Sequence, residues 1–316
     1  MFKKDTYVKG ALMSVFGGIF WALSGNFGQY LFTQRGFDSE WLTTVRLLSA
    51  GVIMLAICAI KDGKSFLNIL KSWRDIRDLI IYGIIGMAGV QLTFFAAIEF
   101  SNAPTGTLLQ YSGSSFIIIY VALKMRKLPA VNEILAVLLA MAGIFLLSTH
   151  GHINALAISE KALAWGLTSA LLMAFYSIFP KRMLDKWGTL ATNGWGMLIG
   201  GIAMAFKRSP MDLGGGTLDI NALLAVAGVV VLGTVLSFFC YLEGVRIIGS
   251  DKAVLYACVE PLTSAIIVMV WFHVPFGLLD WMGAILIVGE VFMISGGKKA
   301  ESDEKQITEE NVQNDT

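Results

Sequence analysis

Polar and aromatic side chains recur at helical spacing inside five long apolar stretches of this chain. In two of them the polar residues stand three or four positions apart, which places them on one face of a helix. These two stripes are Thr107, Gln110, Tyr111 and Ser114, and Tyr256, Glu260, Thr263 and Ser264. The other three stretches carry Thr234, Ser237, Phe238 and Tyr241; Gln91, Phe94 and Phe95; and Trp21, Ser24 and Asn26. Polar groups at membrane depth normally face a bundle interior or water, so the stripes indicate a shared cavity.

We predict that members of these stripes bind a small solute. The predicted residues are Trp21, Ser24, Asn26, Gln91, Phe94, Phe95, Gln110, Tyr111, Ser114, Ser237, Phe238, Tyr241, Tyr256 and Glu260. Aromatic walls with few fixed charges suit a largely apolar or zwitterionic solute, or an organic cation held against ring faces. The alternative is that the hydroxyl and amide groups bond one helix to another and the rings serve packing.

Glu260 is the sharpest candidate for a chemical role. It lies near the middle of its apolar stretch and directly before Pro261, which lacks a backbone donor and breaks helical bonding. It could take up and release a proton, pair with a cationic solute, or be held by the backbone at the proline kink, and these alternatives stay open. Glu290, in the last stretch, is expected to reach the inner membrane interface.

Two further sets of charged groups allow structural predictions. Arg46 lies inside an apolar stretch and is expected to extend toward the interface or to pair with a carboxylate such as Glu40 or Glu99. Glu243 and Arg246 are three residues apart, which predicts a local ion pair on one helix face.

Membrane-spanning helices must position all these side chains. The chain has 316 residues, of which 56% are hydrophobic and 15% charged, and its mean hydropathy is +0.69. A spanning helix needs about 20 mostly apolar residues. Ten stretches are predicted to span, at residues 8–32, 40–60, 79–100, 104–124, 130–149, 161–180, 188–206, 219–243, 252–272 and 277–296. The predicted fold class is therefore an all-α integral membrane protein.

The distribution of Lys and Arg predicts the orientation. Of the 24 basic residues, 19 fall in alternate segments on one side, four fall on the other, and Arg46 lies within a span. Basic loops remain in the cytoplasm, so both termini are predicted to be cytoplasmic. The polar tail, residues 297–316, is too poor in apolar residues to fold alone and is predicted to be disordered.

The two halves of the chain read alike. FFAAIEFSNAPTG begins at Phe94 and FFCYLEGVRIIGS begins at Phe238, so that Glu99 corresponds to Glu243. Residues 8–149 and 161–296 are therefore predicted to be two repeats of five helices each. Because five is odd, the second repeat must enter the membrane in the opposite orientation, an arrangement common in secondary transporters.

On these motifs the chain resembles the drug/metabolite transporter superfamily, of the EamA type with two five-helix repeats. The motifs are Trp21–Phe27 (WALSGNF), Arg46, Ala170–Arg182 (ALLMAFYSIFPKR), Gly249–Ala253 (GSDKA), Glu260-Pro261 and Gly283–Gly289 (GAILIVG). The resemblance covers residues 8–297 and implies ten helices, a central cavity and transport of small organic solutes such as amino acids. The proline of this family's fourth helix is replaced here by Ser115.

The expected function is secondary transport of a small organic metabolite, amino-acid-like or drug-like, with efflux by alternating access across the plasma membrane. The alternative is an uptake permease for an organic cation or nutrient; an intramembrane enzyme and a structural subunit are less favoured. His150, His152 and His273 all fall at outer helix ends, which suits neither a buried Ser–His dyad nor an HExxH site. No catalytic residue, cofactor, metal or nucleic-acid partner is expected; the expected partners are the solute, bilayer lipid and protons.

The predicted topology can be tested with reporter tags. Tags inserted near residues 155 and 185 should face opposite compartments, because the sixth predicted span separates them. Protease protection in right-side-out and inverted vesicles would measure this. Finding both tags on one side would contradict the ten-span topology.

Overall fold

The computed structural model describes residues 4–126, 128–152 and 156–294, and helices account for nearly all of these ranges. The ten long helices are α1 (Lys4–Arg35), α2 (Ser39–Asp62), α3 (Trp73–Glu99), α4 (Ala103–Met125), α5 (Val131–Thr149), α6 (Glu160–Ile178), α7 (Thr189–Lys207), α8 (Ile220–Ile248), α9 (Lys252–Phe272) and α10 (278–294). A 3₁₀ helix, Gly63–Lys71, and a short α-helix, Lys181–Trp187, connect neighbouring helices.

Eight of the described helices are long and apolar enough to cross a membrane, namely all except α7 and α10. The chain is therefore a multi-span, helical membrane protein, as predicted. Helices also stand at the seventh and tenth predicted positions: α7 has 19 residues, and the described part of α10 covers 278–294. That both cross the bilayer stays a prediction. The predicted disordered tail lies outside the described residues.

Polar side chains cap the helices and thereby set where each one starts. Asp38 accepts a hydrogen bond from the Trp41 amide at 2.7 Å, and Asn102 accepts one from the Thr105 amide at 2.9 Å. Ser159 and Asp219 cap α6 and α8 in the same way. These side chains satisfy amides that have no partner within the helix, which matters most where water is scarce.

Two elements at one end of the bundle differ from the predicted spans. Helix α3 begins at Trp73 rather than at 79, and the loop expected after the sixth span contains the helix Lys181–Trp187. Because Asp75 and Asp78 are charged, the first turns of α3 were predicted to be a loop. They are tolerated because Arg182 pairs with both carboxylates, at 2.5 Å and 2.9 Å.

Two kinds of departure from α-helical geometry recur at matching positions in the two halves of the chain; a further π-helical turn, Val268–Phe272, ends α9. Wide π-helical turns cover Tyr82–Gly89 in α3 and Gly228–Leu236 in α8. Helix α4 is interrupted at Ser112 and α9 at Cys258, where ψ is −4° and −1°. Such irregularities leave backbone groups available for other bonds and often mark functional positions in helices.

Close helix packing depends on glycines. Helices α2 and α7 approach so closely that a Cβ on Gly51 would lie 2.7 Å from the backbone nitrogen of Leu198. In the same way, a Cβ on Gly143 of α5 would lie 2.9 Å from the carbonyl oxygen of Gly283 in α10. Small residues let backbones touch in lipid, where packing rather than hydrophobicity drives helix association.

This packing yields a stability prediction. Gly51→Ala should destabilise the protein by about 1–3 kcal/mol, because the Leu198 backbone has to move to admit the methyl group. Gly289→Ala is the matched control, since its Cβ would meet nothing within 4 Å. Thermal unfolding of both variants in detergent measures the difference. Equal unfolding temperatures would contradict the close α2–α7 contact.

Candidate functional site: a central cavity between the two halves

A cavity of about 540 Å³ lies between the helices, and both halves of the chain contribute to its wall. Helices α1 to α4 and α6 to α10 all supply residues. The wall runs from Ser24, Arg46 and Phe94 to Leu184 and Thr189 at the end of the bundle where the short helix Lys181–Trp187 lies. Its volume and its largely apolar wall with a few polar groups are typical of a small-molecule site.

Ten of the predicted site residues line this cavity. They are Trp21, Ser24, Gln91, Phe94, Gln110, Tyr111, Ser114, Phe238, Tyr241 and Glu260. The structure brings these residues together from α1, α3, α4, α8 and α9. Whether they contact a solute stays a prediction.

The other four predicted residues lie outside the cavity wall. Asn26 is buried between helices and donates to the Ala22 carbonyl and to Ser264 Oγ, at 2.8 and 3.0 Å. Phe95 packs in the core, and Ser237 donates to its own helix. Tyr256 shares a hydrogen bond with Tyr7 near the helix ends. These side chains match the alternative interpretation, in which polar and aromatic groups join helices.

Glu260 and Tyr111 form the polar centre of the wall. The Tyr111 hydroxyl donates to Glu260 Oε2 at 3.0 Å, which connects α4 to α9 across the two halves. Pro261 lacks an amide, so the Ala257 carbonyl loses its usual partner; the Tyr111 hydroxyl lies 3.5 Å from it. Glu260 is 8% exposed and faces the cavity. This geometry is compatible with solute binding and with a structural role at the kink.

Arg46 is the second charged group of the wall, and its expected position was wrong. Its guanidinium turns inward and donates to Thr234 Oγ1 at 3.0 Å and to the Gly233 carbonyl at 3.1 Å. It also lies 5.2 Å from the centre of the Phe95 ring. The wide turn of α8 positions both acceptors, because it contains Gly233 and Thr234. Neither Glu40 nor Glu99, the carboxylates expected as partners, pairs with Arg46.

The two expected partners of Arg46 bond elsewhere. Glu40 pairs with Lys207 at 2.8 Å, and Glu99 accepts from the Ser39 amide at 3.0 Å. The predicted local pair of Glu243 and Arg246 is confirmed, with the atoms 2.6 Å apart.

Aromatic rings make up much of the remaining wall. The Trp21 ring packs edge-on to Phe238 at 5.8 Å and tilted against Tyr241 at 5.2 Å. On the opposite helices, Tyr82 stacks with Tyr176 at 5.8 Å. Such faces favour apolar groups and cations.

Sequence reasoning missed one side of the wall. Tyr82, Tyr176 and Asn193 all line the cavity, and the Tyr82 hydroxyl donates to Asn193 Oδ1 at 2.8 Å. Tyr82 lies only four residues before Gly86, at the start of the predicted third span. A search for further polar and aromatic residues along the same predicted span as Gln91 and Phe94 would have included Tyr82.

Glu290 does not reach the interface and is fully buried, so that expectation was wrong. Its Oε1 accepts from Ser114 Oγ at 2.8 Å and from Ser115 Oγ at 2.5 Å. The face of α10 that carries Glu290 is turned toward α4. The residues next to Glu290 in the sequence do not predict this orientation. Ser114 and Val291 connect this group to the cavity wall.

One end of the cavity is closed by contacts between the two halves. The Phe37 and Trp41 rings stack at 4.2 Å, and the Trp41 indole donates to the Pro210 carbonyl at 3.1 Å. Arg208 pairs with Asp38 at 2.8 Å. Together these groups fasten the α1–α2 turn to the α7–α8 loop.

A second pair strengthens the closed end. Arg35 at the end of α1 lies 3.1 Å from Asp219, the residue that caps α8. The Ala222 amide and then Arg35 hold the pKa of the Asp219 carboxyl below its ordinary value. The pair is therefore fully charged above the ordinary carboxyl pKa, and its contribution is lost only as the pH falls through the lowered value.

A different cluster lies at the opposite end. The Asp75 carboxylate is fully buried and accepts from Arg182, from Lys186 at 2.9 Å and from the Trp187 indole at 3.2 Å. It fixes the short helix to α3 beside Leu184, which lines the cavity. Polar contacts between the halves thus occur at both ends of the molecule.

A multi-span helical protein with a central cavity shared between its halves is the architecture of a membrane transporter. The EamA-like transporter family model matches residues 8–149 and 160–296. The chain belongs to this family, which confirms the resemblance found from the motifs.

Named relatives agree with this assignment. The chain is 38% identical over 290 residues to the uncharacterized inner membrane transporter YicL of Salmonella typhimurium, covering 91% of this chain and 95% of that protein. It is 24% identical to the uncharacterized transporter YyaM of Bacillus subtilis, covering 88% and 90%. One solved structure, described only as a crystal structure of a protein, superposes with a TM-score of 0.63 over 90% of this chain and 96% of that one. At 16% identity the last similarity shows the fold alone.

Cysteine labelling tests the position of the cavity wall. In a background with Cys58, Cys240 and Cys258 replaced by Ala, cysteines at Tyr111 and Tyr241 should react with a membrane-impermeant thiol reagent, because both positions line the cavity. Cysteine at Ile266 is the control, since this side chain is 53% exposed on the outer surface of α9 and would face lipid. Protection of both wall positions from water in a folded protein would favour the packing interpretation.

Proposed function

We propose that this protein is a secondary transporter that exports a small organic solute through its central cavity by alternating access. The observation that carries the proposal is the 540 Å³ cavity, whose wall draws on both halves of a multi-span membrane protein. Transporters of this class bind solute near the midplane between repeats, and movement of one repeat against the other exposes it to each side.

Ten spans in two inverted repeats are part of the proposal. The wide turns of α3 and α8 and the interruptions of α4 and α9 stand at matching positions in the two halves. Close glycine contacts join α2 to α7 and α5 to α10, the pairs that a twofold relation between the repeats would bring together. Five helices in each repeat give the inverted orientation.

The charges of the wall support a zwitterionic solute with an apolar body. Glu260 offers a carboxylate to an ammonium group, and Arg46 offers a guanidinium to a carboxylate. Among the described residues, Arg46 and Glu260 do not form an ion pair with each other. A solute could therefore bind to both side chains at once. Aromatic rings of the same wall would accommodate the apolar part.

The closed end is compatible with the loading step of export. With the N-terminus in the cytoplasm, the Phe37–Trp41 contacts lie outside and the cavity extends toward the cytoplasm. In this conformation a solute can enter from the cytoplasm, which is the first step of an export cycle. The relative named an inner membrane transporter supports a location in the cell membrane. The distribution of Lys and Arg supports the proposal that both termini are cytoplasmic.

Uptake of an organic cation is the second candidate. The Tyr111–Glu260 pair and the rings of Trp21, Phe238 and Tyr241 form a wall suited to a cation without a carboxylate. In that case Arg46 would serve only to bond α2 to α8.

Flux measurements in proteoliposomes separate these functions. A panel of amino acids, organic cations and anionic metabolites should yield transport of zwitterions, and Glu260→Gln and Arg46→Gln should each reduce it at least about tenfold, the effect of losing one charge-assisted bond. Glu243→Gln is the control, because its carboxylate bonds Arg246 outside the cavity.

The outcomes discriminate between the candidates. Transport of cations alone, insensitive to Arg46→Gln, would favour the second candidate. No flux of any solute by a folded protein would contradict both.

A further inference from the structure

Glu290 is a buried carboxyl group that does not line the cavity and has no role in the proposed solute binding. It lies behind the cavity wall on α10, and its side chain is fully inaccessible to solvent. Two hydroxyls of α4 approach its Oε1, from Ser114 at 2.8 Å and Ser115 at 2.5 Å. Its Oε2 is buried and has no hydrogen-bond partner among the described residues.

No positive charge compensates this carboxylate in the described ranges. The ten ion pairs found there all lie elsewhere, and none includes Glu290. A buried, unpaired carboxylate costs several kcal/mol. The carboxyl group also receives a hydrogen bond from the Ser115 backbone amide. All of these donors are neutral and Oε2 has no partner among the described residues, which fits a neutral acid in which Oε1 is the carbonyl and Oε2 carries the proton.

The neighbouring titratable groups serve other bonds. The Tyr111 hydroxyl of α4 is directed to Glu260, the titratable group of α9 that lines the cavity. Helices α5 and α10 form their own pair, His150 with Asp280, near the end of α5. Among the described residues, the hydrogen-bond partners of Glu290 are therefore two hydroxyl groups and the Ser115 backbone amide, all of them uncharged.

The serines connect Glu290 to the interruption of α4 at Ser112. Ser114 is the second residue after the interruption of α4, as Glu260 is after that of α9. Ser114 lines the cavity and bonds Glu290 at the same time. A change in α4 at Ser112 would shift both hydroxyls and expose Oε2 to the water of the cavity.

We propose that Glu290, with Ser114 and Ser115, is a proton-binding site that takes up one proton and releases it once per transport cycle. The step is the dissociation of Glu290–COOH to Glu290–COO⁻ and H⁺, with the proton passing to cavity water. Glu260 faces the solute, whereas Glu290 lies behind the wall, so the two carboxyl groups have different tasks. The proposal rests on the proposed transport function.

Infrared spectroscopy of the reconstituted protein tests the protonation directly and requires no solute. Wild type should show the carbonyl band of a protonated carboxyl group that is lost as the pH is raised, and Glu290→Gln should lack it. Glu243→Gln, altered at an ion-paired surface carboxylate, should retain it. Identical pH-dependent spectra for wild type and Glu290→Gln would overturn the proposal.

Gradient-driven transport tests the coupling. One proton exchanged per solute sustains a concentration ratio of about tenfold for each pH unit across the vesicle membrane. Glu290→Gln should lose this accumulation while solute exchange without a gradient continues, and Glu290→Asp should recover part of it. Accumulation equal to wild type would overturn the proton site. A wild type that moves no solute would instead contradict the transport function, and the infrared result would still decide the protonation of Glu290.

Discussion

A polar group without a partner in hydrocarbon costs several kcal/mol, and this constraint organises the whole molecule. It makes nearly every described segment helical, and it explains why Asp38, Asn102, Ser159 and Asp219 cap helix starts. Where the helices depart from regular geometry, side chains occupy the groups that are freed. Tyr111 approaches the Ala257 carbonyl released by Pro261.

The same cost of an unpartnered polar group determines how charged side chains in the cavity wall are bonded. A charged side chain in the wall must be held by the protein or by a solute. Arg46 is held by Gly233 and Thr234, and Glu260 by Tyr111, yet both still border the cavity. Contacts between the halves close one end through Asp38 and Arg208, while Asp75 fixes the short helix at the other. Closure of one end and the support of buried charge thus use contacts between the same two halves.

Hydropathy predicted the positions of the helices well, because the length and apolar character of a spanning segment are contained in consecutive residues of the sequence. Its errors lie where a tertiary partner makes charge tolerable, as Arg182 does for Asp75 at the start of α3. Side-chain direction was harder to predict. Phe94 and Phe95 are adjacent and both aromatic, yet Phe94 lines the cavity and Phe95 packs in the core. The rotation of α10 decides that Glu290 meets two serines rather than the interface, and no spacing rule contains that rotation.

Distances between spin labels test most directly whether the two ends open in alternation. One label pair at Gln34 and Met211 spans the closed end, and a second at Asp185 and Lys252 spans the end toward which the cavity extends; all four side chains are exposed. Electron spin resonance in nanodiscs should show the first distance lengthening and the second shortening when transported solute is added. Unchanged distances at both ends during measurable flux would contradict alternating access through this cavity.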